Sequence, residues 1–228
     1  MHSHKGNLLV LFEDNHIIIV NKRAGDIVQG DKTQDKPLNE IVKEYIKEKY
    51  NKPGNVFLGV VHRLDRPTSG IVVFAKTSKA LERLNKMLRE KSIQKTYWAI
   101  VKNSPKKEKN TLINYLKKNP KNNKSSVFQK ETEGSKKAIL HYHVEKKLDN
   151  YSLLEIDLET GRHHQIRAQL SFIGSPIKGD LKYGFSRSNK DGSIHLHARK
   201  IKFTHPVSKV EITINATPPN DPLWKACI

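Results

Sequence analysis

Two apolar runs, Val56–Val61 and Ile71–Ala75, stand on either side of His62-Arg63-Leu64-Asp65-Arg66-Pro67-Thr68-Ser69-Gly70, with Lys76 just beyond. Both have the length and β-branched content of buried strands. Pro67 has no N–H to give a ladder and Gly70 permits a sharp backbone turn, so the stretch between them reads as a loop. That loop sets one carboxylate, Asp65, between Arg63 and Arg66. The pattern suggests a carboxylate kept ionised in a pocket otherwise hostile to charge. A surface turn with an ion pair, contributing about 0–1 kcal/mol, is the plainer reading of an isolated Asp between arginines. It does not explain the rest of the stretch.

Around this centre the chain alternates strands and helices. Leu8–Phe12 and His16–Val20 flank Glu13-Asp14-Asn15 as a β-hairpin, and Asn21-Lys22-Arg23-Ala24-Gly25 follows as a turn. In Pro37–Tyr50, residues Leu38, Ile41, Val42, Tyr45 and Ile46 form one helical stripe, with Pro37 in the first turn and Asn51-Lys52-Pro53-Gly54 as the stop. A second helix follows Thr77 or Ser78 as cap; Leu81, Leu84 and Leu88 mark its buried side, and Lys79, Arg83, Lys86 and Arg89 a basic face that reads as solvated or phosphate-contacting. Gln94–Val101 alternates as a strand, with Tyr97 opposite Trp98. Residues 102–124 carry eight lysines against one acid, Glu108, and read as a long excursion between strands that binds phosphate or stays mobile. Strands are expected at Ser126–Gln129, Ala138–Val144, Tyr151–Leu158, His195–Phe203 and Val210–Ala216, with Trp224 as a packing anchor. Gly161 lets the chain turn into a helix whose apolar side is Ile166, Leu170 and Ile173, stopped by Gly174.

Charge and composition narrow the chemistry. With 42 Lys and Arg against 23 Asp and Glu, the net charge of +19 favours a polyanionic partner. No apolar run approaches the ~18 residues of a membrane span, and Glu13, Asp14 and Asn15 split the N-terminal apolar stretch, which speaks against a secretory signal. A single cysteine, Cys227, excludes an internal disulfide and a thiolate metal cluster, and a reducing, cytoplasmic setting follows as the default. His141/His143, His195/His197 and His163-His164 invite a metal reading, but no carboxylate or cysteine sits at a matching local spacing, so no metal site is expected. Gly-x-Ser-x-Gly, Walker and dinucleotide fingerprints are all missing, which leaves acyl-transfer, nucleotide-driven and hydride chemistry without support.

His62-Arg63-Leu64-Asp65-Arg66-Pro67-Thr68-Ser69-Gly70 resembles the signature of RNA pseudouridine synthases of the RluA type. The resemblance covers nearly the whole chain. Lys95, Tyr97, Ala99 and Val101 match a Lys-x-Tyr-x-Ala-x-Val motif, and Leu158-Glu159-Thr160-Gly161-Arg162-His163-His164-Gln165-Ile166-Arg167 matches Leu-x-Thr-Gly-Arg-x-His-Gln-Ile-Arg at every fixed position. Gly174-x-Pro176-Ile177-x-Gly179-Asp180-x-x-Tyr183-Gly184 completes that second motif as a glycine-fixed loop. Two departures stand out: Arg23 where the family usually carries proline, and Gln169 where many members have histidine.

The resemblance implies roles for particular residues. Asp65 is the catalytic aspartate, Arg167 the basic residue that pairs with it, and Tyr97 the ring against the target base. Ile166 packs near that base and Arg63 helps occupy the space a flipped uridine leaves; His62, Arg66 and Arg162 join them as RNA-binding residues. The implied fold is α+β, a mixed and mostly antiparallel sheet with flanking helices and a central cleft. Residues 1–7 are expected as a loose leader before one catalytic domain, 8–228, without the extra N-terminal RNA-binding domain that many relatives carry. The implied reaction, uridine to pseudouridine in ribosomal or transfer RNA, needs no redox cofactor, energy source or metal, and a monomer is expected. A non-catalytic RNA-binding module would explain the charge, but not Asp65, Tyr97 and Arg167 together.

Overall fold

The computed structural model describes residues 2–30 and 33–228, which fold as two compact units of an α+β protein. Met1, part of the expected leader, lies outside the described residues. The first unit takes Met1–Ile93 with Ala198–Pro219, the second Gln94–His197 with Asn220–Ile228.

The first unit centres on strands buried on both faces. β1 (Val10–Glu13) and β2 (Ile17–Lys22) form the expected hairpin, and β2 pairs antiparallel with β4 (Ser69–Ala75). Every residue of β4 is buried, as are Ile17–Val20, which is why both read as unbroken apolar runs rather than alternating ones. α1 (Leu38–Lys49) lays Leu38, Val42 and Ile46 against Ile18, Val20, Val72 and Phe74. Each such side chain stabilises the fold by roughly 1.5–3 kcal/mol. Pro37 serves as N-cap rather than in the first turn. α2 (Ser78–Arg89) is capped by the Thr77 hydroxyl, which accepts from Ala80 N–H, and packs on β3 and β4. β10 (Leu196–Thr204) begins in the second unit and completes the first, where β11 (Glu211–Asn215) pairs with it.

The structure corrects four local expectations in this unit. Of Val56–Val61 only β3 (Gly59–Val60) finds ladder partners, opposite Ala75 and Phe74. Gly70 is not in the turn; it lies inside β4 at φ +115°, where a Cβ would come 2.4 Å from the Ala198 carbonyl oxygen. The described part of the leader is packed: Ser3 is buried and its hydroxyl donates to Asp26 at 2.6 Å, and Lys5–Asn7 form a short 3-10 turn. Arg23, standing where the family usually carries proline, does not loosen its turn but ties it down by donating to the Asn7 carbonyl at 3.0 Å.

In the second unit five antiparallel strands run in the order β5 (Gln94–Lys102), β9 (Tyr151–Leu158), β8 (Lys136–Lys147), β6 (Lys109–Asn119), β7 (Lys124–Phe128). α3 (Gln165–Phe172) covers one face, where Ala168 packs with Leu116 and Ala138. α4 (Pro222–Cys227), capped by Asp221, covers one end of the other face with Trp224 against Ile100 and Leu153. Residues 102–124, expected as an excursion, are largely strand. Leu112, Asn114 and Leu116 alternate inward, but Asn114 hides the apolar period; its carboxamide is satisfied in the core by Gln169, whose Nε2 donates to it at 2.8 Å. No helix among the described residues is long and apolar enough to cross a membrane.

Candidate active site

In the first unit the Asp65 loop is held by its backbone. Arg66 O accepts from Gly25 N–H at 2.8 Å and from Lys22 Nζ at 3.1 Å; Lys22 also donates to Arg23 O at 2.9 Å. Thr68 N–H closes a turn on Asp65 O at 3.0 Å. His62 Nε2 accepts from Val73 N–H at 3.2 Å, which places the ring proton on Nδ1 and ties the loop to β4. The loop is thus fixed while Asp65 itself stays half-buried and Arg63 exposed. Arg66 turns its guanidinium to Asp35, at 2.7 Å, and to the Thr33 hydroxyl, at 2.6 Å.

Beneath this loop Lys22 ends the apolar run of β2 with its side chain fully buried. Burial pushes its ammonium down to about 7, against the pull of Asp26 and Asp65, with Arg66 adding to the push. The nearby carboxylates of Asp26 and Asp65 thus favour the charged form of Lys22. Sequence reasoning gave Lys22 no role. The available signal was a lysine that directly continues Ile17–Asn21 inside a strand buried on both faces.

In the second unit the matched motif is a clasp. Thr160 Oγ1 accepts from Ile139 N–H of β8 and donates to Gln165 Oε1, each at 2.8 Å; Gln165 Nε2 donates to Ile139 O at 3.0 Å. Arg162 adds Nε to Lys137 O at 2.9 Å and is itself exposed. His164, in the left-handed region at φ 52°, caps α3 and sets Ile166 and Arg167 in its first turn, both buried. Tyr97 is buried on β5, in register with Ile156, on the face opposite Trp98.

Arg167 is aimed by two residues that sequence reasoning left without a role. Its Nε and Nη2 donate to the Asp180 carboxylate at 2.7 and 2.8 Å, with Asp180 1% exposed. The guanidinium also sits 5.1 Å from the Tyr183 ring centre, near enough for a cation–π contact. Tyr183 OH accepts from Ser125 N–H at 2.8 Å and shares a hydrogen bond with His164 Nδ1 at 2.9 Å. Burial pushes the phenol above its ordinary range. Asp180 and Tyr183 belong to Gly-Asp-x-x-Tyr-Gly, so the residues were in view and only the fold shows what they hold.

The histidine pairs part ways. His195 and His197 are buried around Trp224, and His195 bonds Asp221 through Nε2 at 3.0 Å. His163 stacks on His164 at 3.8 Å. His143, against the expectation that no carboxylate stands at a matching spacing, has Glu145 two residues on and Glu155 across the strand. Glu145 stands at that spacing in the sequence itself, and only Glu155 is brought in by the register of the neighbouring strand.

A family model described as RNA pseudouridylate synthase matches residues 16–172. An uncharacterized RNA pseudouridine synthase of Synechocystis sp. is 35% identical over 214 residues, 92% of this chain and 65% of that protein. Ribosomal large subunit pseudouridine synthase C of Buchnera aphidicola subsp. Baizongia pistaciae is 36% identical over 230 residues, 97% of this chain and 70% of that protein. Among solved structures, human RNA pseudouridylate synthase domain containing 4 superposes with a TM-score of 0.79 at 22% identity, covering 95% of this chain and 90% of that one, a likeness of fold.

Proposed function

The chain belongs to the RNA pseudouridine synthase family, a family of isomerases, and from that premise we propose that it converts uridine to pseudouridine in structured RNA with Asp65 as the catalytic carboxylate. The observation that carries this reading is the loop His62–Gly70, fixed at its backbone over the buried Lys22 while the Asp65 side chain stays half-buried. The family match crosses both compact units, which supports residues 8–228 as one catalytic domain.

The reaction is an isomerisation: the bond from uracil N1 to C1′ breaks, the base turns, and C5 joins C1′. The proton lost from C5 is balanced by one gained at a ring nitrogen, so no oxidant, reductant or energy source enters. An ionised carboxylate at the sugar–base junction serves each available route: attack on the sugar, attack on the base, or removal of a sugar proton. The resemblance assigns Arg167, itself fixed by the fork with Asp180, as the ionic partner of Asp65. The target uridine leaves its stack at a cost of a few kcal/mol. Arg63, exposed on the same loop, fills the vacancy, and the Tyr97 ring offers the base a face, where stacking contributes ~1–3 kcal/mol. The resemblance adds Ile166 beside the base and His62, Arg66 and Arg162 as RNA-binding residues. The net charge of +19 draws the phosphates. The name of the Buchnera relative favours ribosomal RNA as substrate, with transfer RNA as the alternative. The working state is a cytoplasmic monomer.

Asp65→Asn keeps the size and hydrogen-bonding capacity of the side chain and removes its charge. Pseudouridine yield on total RNA is expected to vanish while binding at fixed salt stays within a few-fold, because phosphate contacts dominate affinity. Full yield from a folded Asp65→Asn chain sinks the catalytic assignment and leaves an RNA-binding module.

A further inference from the structure

The face of the second unit's sheet away from α3, covered at one end by α4, carries side chains the reaction does not use. Along β8 and β9, Ala138, Leu140, Tyr142, Leu154 and Ile156 turn inward, so His141, His143, Glu155 and Asp157 turn out. His143 and Glu155 are direct partners in the ladder. β8 then shifts register between Val144 and Lys146, and the residue left over in that bulge is Glu145. A bulge re-aims the side chain it carries, and here it aims Glu145 at His143 Nε2.

The geometry points to a divalent-metal site built from His143, Glu145 and Glu155, taking a first-row transition ion of the zinc, cobalt or nickel class. One donor atom from each of the three lies within 4.8 Å of the others. Ligands about 2.1 Å from one tetrahedral ion stand about 3.4 Å apart, so small rotamer changes of these accessible side chains close the site. One imidazole with two carboxylates suits that class of ion better than magnesium or calcium, which prefer all-oxygen sets. Three protein ligands leave the fourth position to water.

Two neighbours bear on affinity, in opposite directions. Trp98, the ladder partner of Glu155 on β5, donates Nε1 to Glu155 Oε2 at 3.0 Å, so the carboxylate is oriented before an ion arrives. Lys109 of β6 is the ladder partner of His143 and sets a positive charge on the same face. Its exposed, flexible stem lets the ammonium swing aside, and the expected affinity is therefore micromolar rather than structural. The ion clamps β8 to β9 at the bulge, where the ladder is interrupted.

Trp98 supplies the test. The full chain, stripped with chelator, is titrated with cobalt(II) or nickel(II) alone while tryptophan emission is followed, and zinc is used to compete. Saturable quenching at micromolar ion, one equivalent per chain by equilibrium dialysis, is the expected result. His143→Ala and Glu155→Gln should each weaken binding at least ten-fold with an unchanged thermal midpoint before ion is added. Trp98→Phe should lose the quench while the dialysed stoichiometry remains. The double replacement His2→Ala, His4→Ala controls for imidazoles of the other unit and should change nothing. Binding that is unaltered in His143→Ala, or that appears only at millimolar ion, overturns the site. Pseudouridine yield of His143→Ala should equal that of the parent with and without ion.

Discussion

The loop that carries Asp65 is held by its backbone, whereas the helical turn that carries Arg167 is held by side chains. Around Asp65 the bonds run to the carbonyls and amides of Arg66, Thr68 and Val73, and the carboxylate is left half-buried. Around Arg167 a buried carboxylate takes Nε and Nη2, and an aromatic ring lies beside the guanidinium. The difference follows from what each group is for. A carboxylate that must react gains from a fixed chain beneath it, because its position is then set before substrate arrives. A cation that orients another charge gains from being locked itself, and the cost of burying it is offset by the fork with Asp180.

The largest effect expected from this contrast is at Asp180. Asp180→Ala leaves the Arg167 charge buried without its fork and should cost about 3–5 kcal/mol in urea denaturation. Asp180→Leu combined with Arg167→Met should recover much of that stability while turnover stays low. Asp65→Asn, at the half-buried position, should move stability by less than about 1 kcal/mol. If Asp180→Ala costs no more than Asp65→Asn, the contrast fails.

Lys22 sharpens the backbone side of the comparison through pH. It titrates at about 7 in the fold, against 10.5 ordinarily. Between those values the unfolded chain binds more protons, so this residue makes stability rise as pH climbs from 7 towards 10.5; below 7 the penalty of a buried ammonium is complete. Lys22→Met should flatten that part of the stability profile. It should also slow turnover by releasing the Arg66 carbonyl, even at a pH where the protein is fully folded. A profile parallel to that of the parent would mean that the lysine titrates as an ordinary surface group.

A smaller effect concerns the lysines around β6 and β7. Lys117, Lys118, Lys121 and Lys124 are all exposed, and replacing them with glutamine should leave stability within about 0.5 kcal/mol. The slope of log affinity for single-stranded RNA against log salt should fall by about 0.7 for each phosphate that these lysines no longer neutralise. An unchanged slope would make this edge of the sheet a solvated one. Chelation should have the least effect: exhaustive EDTA treatment is expected to leave pseudouridine yield intact, and a loss restored by zinc or manganese would reopen a metal-dependent mechanism.

Much of this was legible from residues close together in the chain. The stripe Leu38, Ile41, Val42 and Ile46, the Thr77 cap and the Ile71–Ala75 run are local signals, because helical period, capping and strand burial depend on neighbours a few residues apart. The motifs around Asp65 and Arg167 were visible for the same reason. β6 was missed because Asn114 breaks its alternation, and the residue that makes a buried Asn tolerable, Gln169, lies on α3. Sequence by itself thus determined the two chemical motifs and most of the elements that carry them. Tertiary structure decided why Gly70 must be glycine, since the obstructing carbonyl belongs to Ala198; what Lys22 and Asp180 hold; and that Glu155 stands beside His143. Those facts depend on strand register and on burial between residues far apart in the chain, and a local pattern carries no record of which distant backbone or charge will be brought against it.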